Sequence, residues 1–275
     1  MKVGYQGVHG AFSEMAVRSF FGQDGCEAVG FREFSDMFDA LEKGTVQFGM
    51  FPVENTTTGL ISRTYDHFQK HSLNAVGEVV VPINQNLIVL PGTSLGEIRE
   101  VYSHPEAIAQ CSGFFQRNPA LRPVVYDDTA LSVKFIAARG DRSKAAIASS
   151  LAAELYGMEI LQGPVQDNPK NMTRFLCLTQ DPSFPSNADK ISIMLTLKHR
   201  PGALYNALGI FSALNINVLK LESRPIVGRL FEYSFYLDFA GNLRDPDVQE
   251  VLRRLKYDCI DVRVFGCYKA AEVTL

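Results

Sequence analysis

Apolar residues in the first two thirds of the chain come in short runs separated by stretches of helical period. The runs "KVGYQ" (2–6), "VQFGMFPV" (46–53), "VGEVVVPI" (76–83), "NLIVLP" (86–91), "EVYS" (100–103), "PVVY" (123–126) and "AAIA" (145–148) predict strands. Between them "SEMAVRSFF" (13–21), "DMFDALEK" (36–43), "PEAIAQCSGFFQ" (105–116), "ALSVKFIAA" (130–138) and "SLAAELYG" (150–157) predict helices. Such alternation predicts an α/β domain with mixed or largely parallel sheets. Farther on the order changes. "KISIMLTL" (190–197), "VLKLES" (218–223), "LFEYSFYLDF" (230–239) and "IDVRVFGCY" (260–268) read as strands, with helices at "GALYNALGIFSAL" (202–214) and "DPDVQEVLRRL" (245–255). That is β-α-β-β-α-β, the ferredoxin-like α+β arrangement, with one sheet face open to a second copy. The Pro- and Ser-rich "DPSFPSNADK" (181–190) lies between and reads as a linker, so the expected units are 1–180, a linker at 181–189, and 190–275.

Length agrees with two units, since 275 residues exceed the usual single domain and 46% hydrophobic content can bury a core in each. A net charge of −3 and a pI near 6.0 leave no basic stripe, so nucleic acid is not an expected partner. The opening "MKVGYQGVHG" breaks any apolar stretch with Gly, Gln and His, and no window approaches a membrane span; the chain is expected off the membrane and in the cytoplasm. Its five cysteines are odd in number, scattered and without a C-x-x-C pair, which predicts reduced thiols and no metal knuckle.

The candidate chemistry lies in turns. "VHGAFSE" (8–14), "VENTTTG" (53–59), "SHPE" (103–106) and "YDDTA" (126–130) each put small polar residues where a strand gives way to a helix. Helix N-termini present unpaired N–H groups and a positive dipole end, so together these turns could surround a small anion. Each can equally be a plain cap: Ser103 with Glu106 fits an S-x-x-E box, and Asp128 or Thr129 can cap the next helix. The three threonines of "ENTTTG" exceed what one cap requires. In "NPKNMTRFLCL" (168–178), Thr173 and Arg174 stand at the mouth of an apolar run. There a hydroxyl can donate to a leaving oxygen and a guanidinium can fork onto a carboxylate, or both can belong to an ordinary strand edge. "GTSLG" (92–96) satisfies the G-x-S-x-G nucleophile elbow, but Ser94 with Glu97 also fits a capping box and no Asp-then-His order follows, so Ser94 reads as a cap. His67 and His71 stand four apart without the Glu of H-E-x-x-H or a third ligand, and read as surface residues.

Taken in order, "ENTTTG", "SHPEAIAQC", "DDTA", "AAIAS…AAELYGM" and "NMTRF" resemble the prephenate dehydratase family across the whole chain, and the second domain resembles the family's ACT regulatory domain through "GAL" (202–204) and "ESRP" (222–225). The resemblance implies a two-lobed catalytic unit similar to type 2 periplasmic binding proteins, with lobe one at about 1–80 and 162–180, lobe two at about 81–161, and the site in the cleft. It implies cofactor-free loss of CO2 and water from prephenate to give phenylpyruvate, a step towards phenylalanine. Thr173 would be a positioned donor to the departing hydroxyl. Arg174 would orient a carboxylate, Phe175 shape the wall and Asn171 steady the loop. Asn55, Thr56, Thr57 and Gly59 would cradle substrate, faced by Thr129 and Ala130, with Glu54 and His104 as candidate proton sources.

By the same resemblance L-phenylalanine would bind as effector near Gly202, Ala203, Leu204, Asn215, Asn217, Glu222 and Ser223, between two ACT domains of a homodimer or homotetramer. A domain serving only dimerisation is the alternative. The loop "GVHGAFS" departs from many members in having Val8 in place of Pro and Ala11 in place of Ser or Thr, which removes a loop hydroxyl. "YQGVHGAFSE" and "VGEVVVP" also resemble arogenate dehydratases, whose substrate carries an ammonium where prephenate has a keto group. A non-enzymatic metabolite sensor is the remaining alternative, from a different class.

Overall fold

A computed structural model of the protein describes residues 1–226 and 228–272. In chain order the elements are β1 (Lys2–Gln6), α1 (Phe12–Phe21), β2 (Glu27–Phe31), α2 (Phe34–Glu42), β3 (Phe48–Asn55), β4 (Gly59–Leu60), α3 (Ser62–Phe68), β5 (Asn74–Pro82), β6 (Asn86–Val89), β7 (Glu100–Ser103), α4 (Pro105–Gln110), α5 (Ser112–Arg117), β8 (Arg122–Val125), α6 (Thr129–Arg139), β9 (Lys144–Ala148), α7 (Ser150–Leu155), β10 (Glu159–Gln162) and β11 (Met172–Thr179). There follow β12 (Lys190–Thr196), α8 (Ala203–Ala213), β13 (Val218–Pro225), β14 (Tyr233–Ala240), α9 (Pro246–Asp258) and β15 (Asp261–Tyr268). The chain divides into two compact units, one of Met1–Ile61 with Val80–Phe175, the other of Ser62–Val79 with Leu176–Glu272.

The first unit is two α/β lobes. In one, β1 is flanked by parallel β2 and β3, with β11 next to β3 and the short β4 folded back on it. In the other, the sheet runs β10-β6-β9-β7-β8, with β7 parallel to both neighbours and β6 antiparallel to both of its own. The second sheet is buried on two faces, which explains why its strands read as unbroken apolar runs. Leu87, Val89, Ala145 and Ile147 pack with Ala107, Cys111 and Phe114, while Ile88, Ala146 and Ala148 pack with Ala130, Val133 and Ala152. The expected helix 105–116 is two helices, broken at Cys111, because the Asp167 carboxylate accepts from the Ser112 hydroxyl at 2.7 Å and the Gly113 N–H at 2.9 Å. That anchors the return segment to lobe two.

The chain passes between lobes twice, through 83–85 and 163–171, and the two crossings bond to each other: Ile83 N–H to Asn171 carbonyl at 2.8 Å, Val165 N–H to Gln85 carbonyl at 2.7 Å. A third contact comes from the loop before α1. Gly10 sits at φ +96°, and a Cβ there would lie 2.9 Å from the Ala152 Cα, so only glycine lets this loop meet α7. The Ser149 hydroxyl donates to the Gly10 carbonyl at 2.6 Å and the Tyr156 hydroxyl to the His9 carbonyl at 3.0 Å. Glu14, 1% exposed, holds the loop from inside by accepting from Gly10 N–H at 2.7 Å and Arg18 Nη2 at 2.7 Å. Burial pushes its carboxyl up, and the Gly10 N–H, Arg18 and His9 outweigh burial and leave it below the usual carboxylate range.

The second unit contains the expected βαββαβ module, in strand order β13-β14-β12-β15 with antiparallel ladders throughout. α8 and α9 cover one face around Ile191, Ile193, Phe211, Leu237, Phe239 and Val251. The other face carries residues 62–79, which the sequence placed in lobe one. Tyr65 and Phe68 pack against Tyr236 and Phe265, the Arg263 guanidinium donates to the Phe68 and His71 carbonyls, and Glu78 pairs with Lys190 at 3.0 Å. The expected module boundary therefore does not coincide with the packing boundary, and residues 273–275 of the expected 190–275 domain lie outside the described residues.

Smaller expectations also resolve. Ser94 and Glu97 form a capping box at a single 3-10 turn, as expected of a cap. His67 and His71 are half-buried rather than at the surface, stacked with ring centroids 5.5 Å apart. The five cysteines form no disulfide, and burial pushes the thiol of Cys111 up to about 12.

Candidate active site

The site grows from the end of β3. Asn55 closes an Asx turn, its Oδ1 accepting from the Thr57 N–H at 2.9 Å and the Thr58 N–H at 3.0 Å. With the oxygen committed to two backbone donors, the amide nitrogen must point the other way. There Nδ2 lies 2.9 Å from Thr173 Oγ1, 2.8 Å from Asn171 Oδ1 and 3.1 Å from the Met172 carbonyl. Thr173 is thus an acceptor from Asn55, and its own O–H remains available to the cleft. Asn171 in turn donates to Gln110 Oε1 at 2.9 Å, so the last residue of α4 in lobe two is tied to the hydroxyl at the heart of lobe one.

A cavity of about 220 Å³ opens onto this network, lined by Phe12, Ser13, Pro52, Asn55, Thr58, Ile61, Ile83, Gln85, His104, Glu106, Ala107, Gln110, Thr129, Thr173 and Phe175. Its donors are amides, hydroxyls and helix ends. α1 begins there with no side-chain cap, since Ala11 has no hydroxyl, and the N–H groups of Phe12 and Ser13 find no acceptor among the described residues. The departure at Ala11 therefore leaves a helix N-terminus open to a carboxylate. At α6 the opposite holds: the Asp128 carboxylate takes the Ala130 and Leu131 N–H groups.

The expected site residues separate accordingly. Asn55, Asn171, Thr173, Phe175, Thr129 and His104 belong to the cleft or its wall. Ala130 is fully buried, and its N–H is already taken by Asp128. Thr56 and Thr57 brace the loop from outside, Thr56 through the Met172 N–H at 2.9 Å and Thr57 through Asn171 at 3.2 Å. Gly59 is exposed at φ +77°, with nothing within 4 Å of a Cβ position. Arg174, expected to orient a substrate carboxylate, is placed on the far face of β11, because successive side chains on a strand point to opposite sides. It approaches Glu54 at 3.6 Å, and both line a separate cavity of about 490 Å³ with Thr56, Val80, Lys170 and Met172. Glu54 is thereby kept from the cleft as well.

Thr58, Gln110, Glu106, Phe12 and Ser13 were not among the expected residues. Gln110 could have been found from α4, since it stands four positions after Glu106 on one helix face. The cap of α4 also differs from expectation: Ser103 is buried and donates to the Ile147 carbonyl at 2.6 Å, and the His104 ring accepts the Glu106 N–H at 3.2 Å instead.

In the second unit the expected effector residues do not converge within one chain. Ala203 and Leu204, after the left-handed Gly202 that starts α8, line a recess of about 230 Å³ with Tyr233 and Phe235. Asn215 and Asn217 line another of about 500 Å³ past the far end of α8. Glu222 and Ser223 lie on β13, the edge strand, with Ser223 exposed.

The family model for prephenate dehydratase matches residues 3–183, and that for the ACT domain residues 191–256. The chain belongs to the prephenate dehydratase family. It is 38% identical over 98% of its length to arogenate dehydratase/prephenate dehydratase 2, chloroplastic, of Arabidopsis thaliana, covering 72% of that protein. The crystal structure of prephenate dehydratase in complex with L-Phe from Arthrobacter aurescens superposes with a TM-score of 0.90 at 27% identity, over 98% of this chain and 90% of that one. A structure of GqqA, described as a novel type of quorum-quenching acylase, superposes with a TM-score of 0.89 at 29% identity, over 98% of each chain. As a member of the prephenate dehydratase family the protein is a carbon–oxygen lyase with an ACT domain, not a bare sensor.

Proposed function

We propose that this chain converts prephenate to phenylpyruvate, CO2 and water in phenylalanine synthesis, and that L-phenylalanine regulates it. One observation carries the reading: Asn55, fixed by two backbone donors, faces its amide nitrogen to Thr173, so the threonine oxygen accepts there and its O–H is free to donate into the cavity it lines. Loss of the ring carboxylate as CO2 and of the ring hydroxyl creates an aromatic ring, and the departing oxygen takes up one proton as it becomes water. The drive is in the product, so the protein must hold the dianion and stabilise the charge growing on the leaving oxygen. Thr173 donates to that oxygen. The Phe12 and Ser13 N–H groups suit a carboxylate, and Pro52, Ile61, Ile83 and Phe175 give the other end of the cleft the apolar character that favours decarboxylation. Of the two ionisable side chains that line the cleft, His104 and Glu106, the imidazole is the one that suits resupplying Thr173 with a proton.

Arogenate, named in the Arabidopsis relative, is the second substrate reading, and the Glu106 carboxylate in the cleft lining favours it. For regulation, the separation of the effector candidates along α8 and the exposed edge at β13 support a site completed by a second copy, in a homodimer or a homotetramer. Five cysteines that form no disulfide support a reducing compartment such as the cytoplasm, and among the described residues no helix is long and apolar enough to cross a membrane.

Thr173→Val is the test. Phenylpyruvate formation is expected to fall by about a thousandfold or more while a substrate analogue still binds, and Thr173→Ser is expected to keep turnover within about tenfold. Loss of binding and turnover together in the Val variant would make Thr173 an anchor rather than a donor.

A further inference from the structure

We propose that Glu106 is a specificity-determining residue of the cleft, favouring the ammonium-bearing substrate arogenate over prephenate. Its carboxylate is free for the purpose. A serine cap at Ser103 would have engaged it in a capping box, but Ser103 turns inward to the Ile147 carbonyl and the His104 ring caps α4 through the Glu106 N–H. The Glu106 side chain accepts no hydrogen bond and makes no ion pair among the described residues. It lines both the cleft cavity and an adjoining one of about 240 Å³ with Asp167 and Asn168.

The composition of the cleft sharpens the point. No Lys or Arg lines it, and Glu106 is its single carboxylate. A site for a dianion would gain from a cation here, and an unpaired carboxylate opposes one. Arogenate differs from prephenate in carrying an ammonium on the side chain opposite the ring hydroxyl, and an ammonium turns that opposition into a charge-assisted hydrogen bond. The placement agrees. Gln110, one helical turn after Glu106 and on the same face, reaches the Asn171–Asn55–Thr173 network. With the ring hydroxyl at Thr173, the other end of the substrate extends along α4 towards Glu106.

The inference rests on the cleft being the dehydratase site, and the experiment separates the two. Purified full-length protein and its Glu106→Gln variant are assayed on arogenate and prephenate, following phenylalanine and phenylpyruvate. The ratio of kcat/KM for arogenate to that for prephenate is expected to fall by about tenfold or more in the variant, with Glu106→Asp keeping most of it. A ratio unchanged in Glu106→Gln, including an equal loss on both substrates, overturns the assignment while leaving the dehydratase reading intact. A wild-type protein that turns over neither substrate overturns both.

Discussion

The candidate catalytic and effector groups make opposite use of the chain. Asn55 bonds to Asn171 and Thr173 across 116 and 118 positions, and the chain of contacts closes through Gln110 of the other lobe. The effector candidates come from one helix, the turn after it and the next strand, yet they are spread over both ends of α8, about 16 Å for its 11 residues. Proximity in sequence did not make a site. Strand ends and crossings meeting at one cleft did, and the regulatory residues lack such a meeting point inside a single chain.

The largest effect should come from inverting one bond in the catalytic network. Asn55→Asp keeps the oxygen that accepts from Thr57 and Thr58 but replaces the donor that faces Thr173. The threonine proton would then turn to the new carboxylate and away from the cleft. We expect kcat to fall by about 10²–10⁴ with the fold retained, and the double variant with Thr173→Val to be little worse than either single one, because both act on the same proton. Full additivity would show that Asn55 acts elsewhere.

Smaller effects are expected in the regulatory unit. Gly202 has φ +78°, a conformation that a β-branched residue resists, and Ser223 is exposed on the edge strand. Gly202→Val and Ser223→Ala are each expected to raise the phenylalanine concentration for half-inhibition by about five- to tenfold. If one site takes Gly202 from one copy and Ser223 from the other, mixed dimers of the two variants contain one unaltered site, and sensitive inhibition should partly return on mixing. No recovery would return both residues to the same chain.

Much of the architecture was legible because burial wrote it into the pattern. The twice-covered sheet gave unbroken runs such as "NLIV" and "AAIA". The alternation of β12 misled: it reads as a half-buried strand, yet five of its seven positions are buried, with residues 62–79 on the sheet's second face. β2 and β10 were missed because, with no fully buried position in either, they show no such pattern. The site was legible where a motif and a strand end coincide, as at Asn55 and Thr173. It was illegible where tertiary choices decided the matter. Nothing in "SHPE" says that Ser103 turns inward and His104 becomes the cap, and nothing before Ser62 says that residues 62–79 pack with the second unit.

The smallest effect is expected next to the largest, at Arg174. Its neighbour Thr173 faces the cleft, and the alternation of β11 sends the guanidinium to the opposite side, towards Glu54 and a cavity shared with Lys170 and Met172. Arg174→Gln should therefore leave KM for substrate within about threefold, since a lost carboxylate fork in the cleft would raise it far more. The Arg174 side chain is only 12% exposed, so its removal should show in stability instead, as a loss of about 1 kcal/mol in denaturant unfolding. A KM raised a hundredfold with stability unchanged would mean that substrate reaches this face of the strand, and the difference drawn between the two sides of β11 would be wrong.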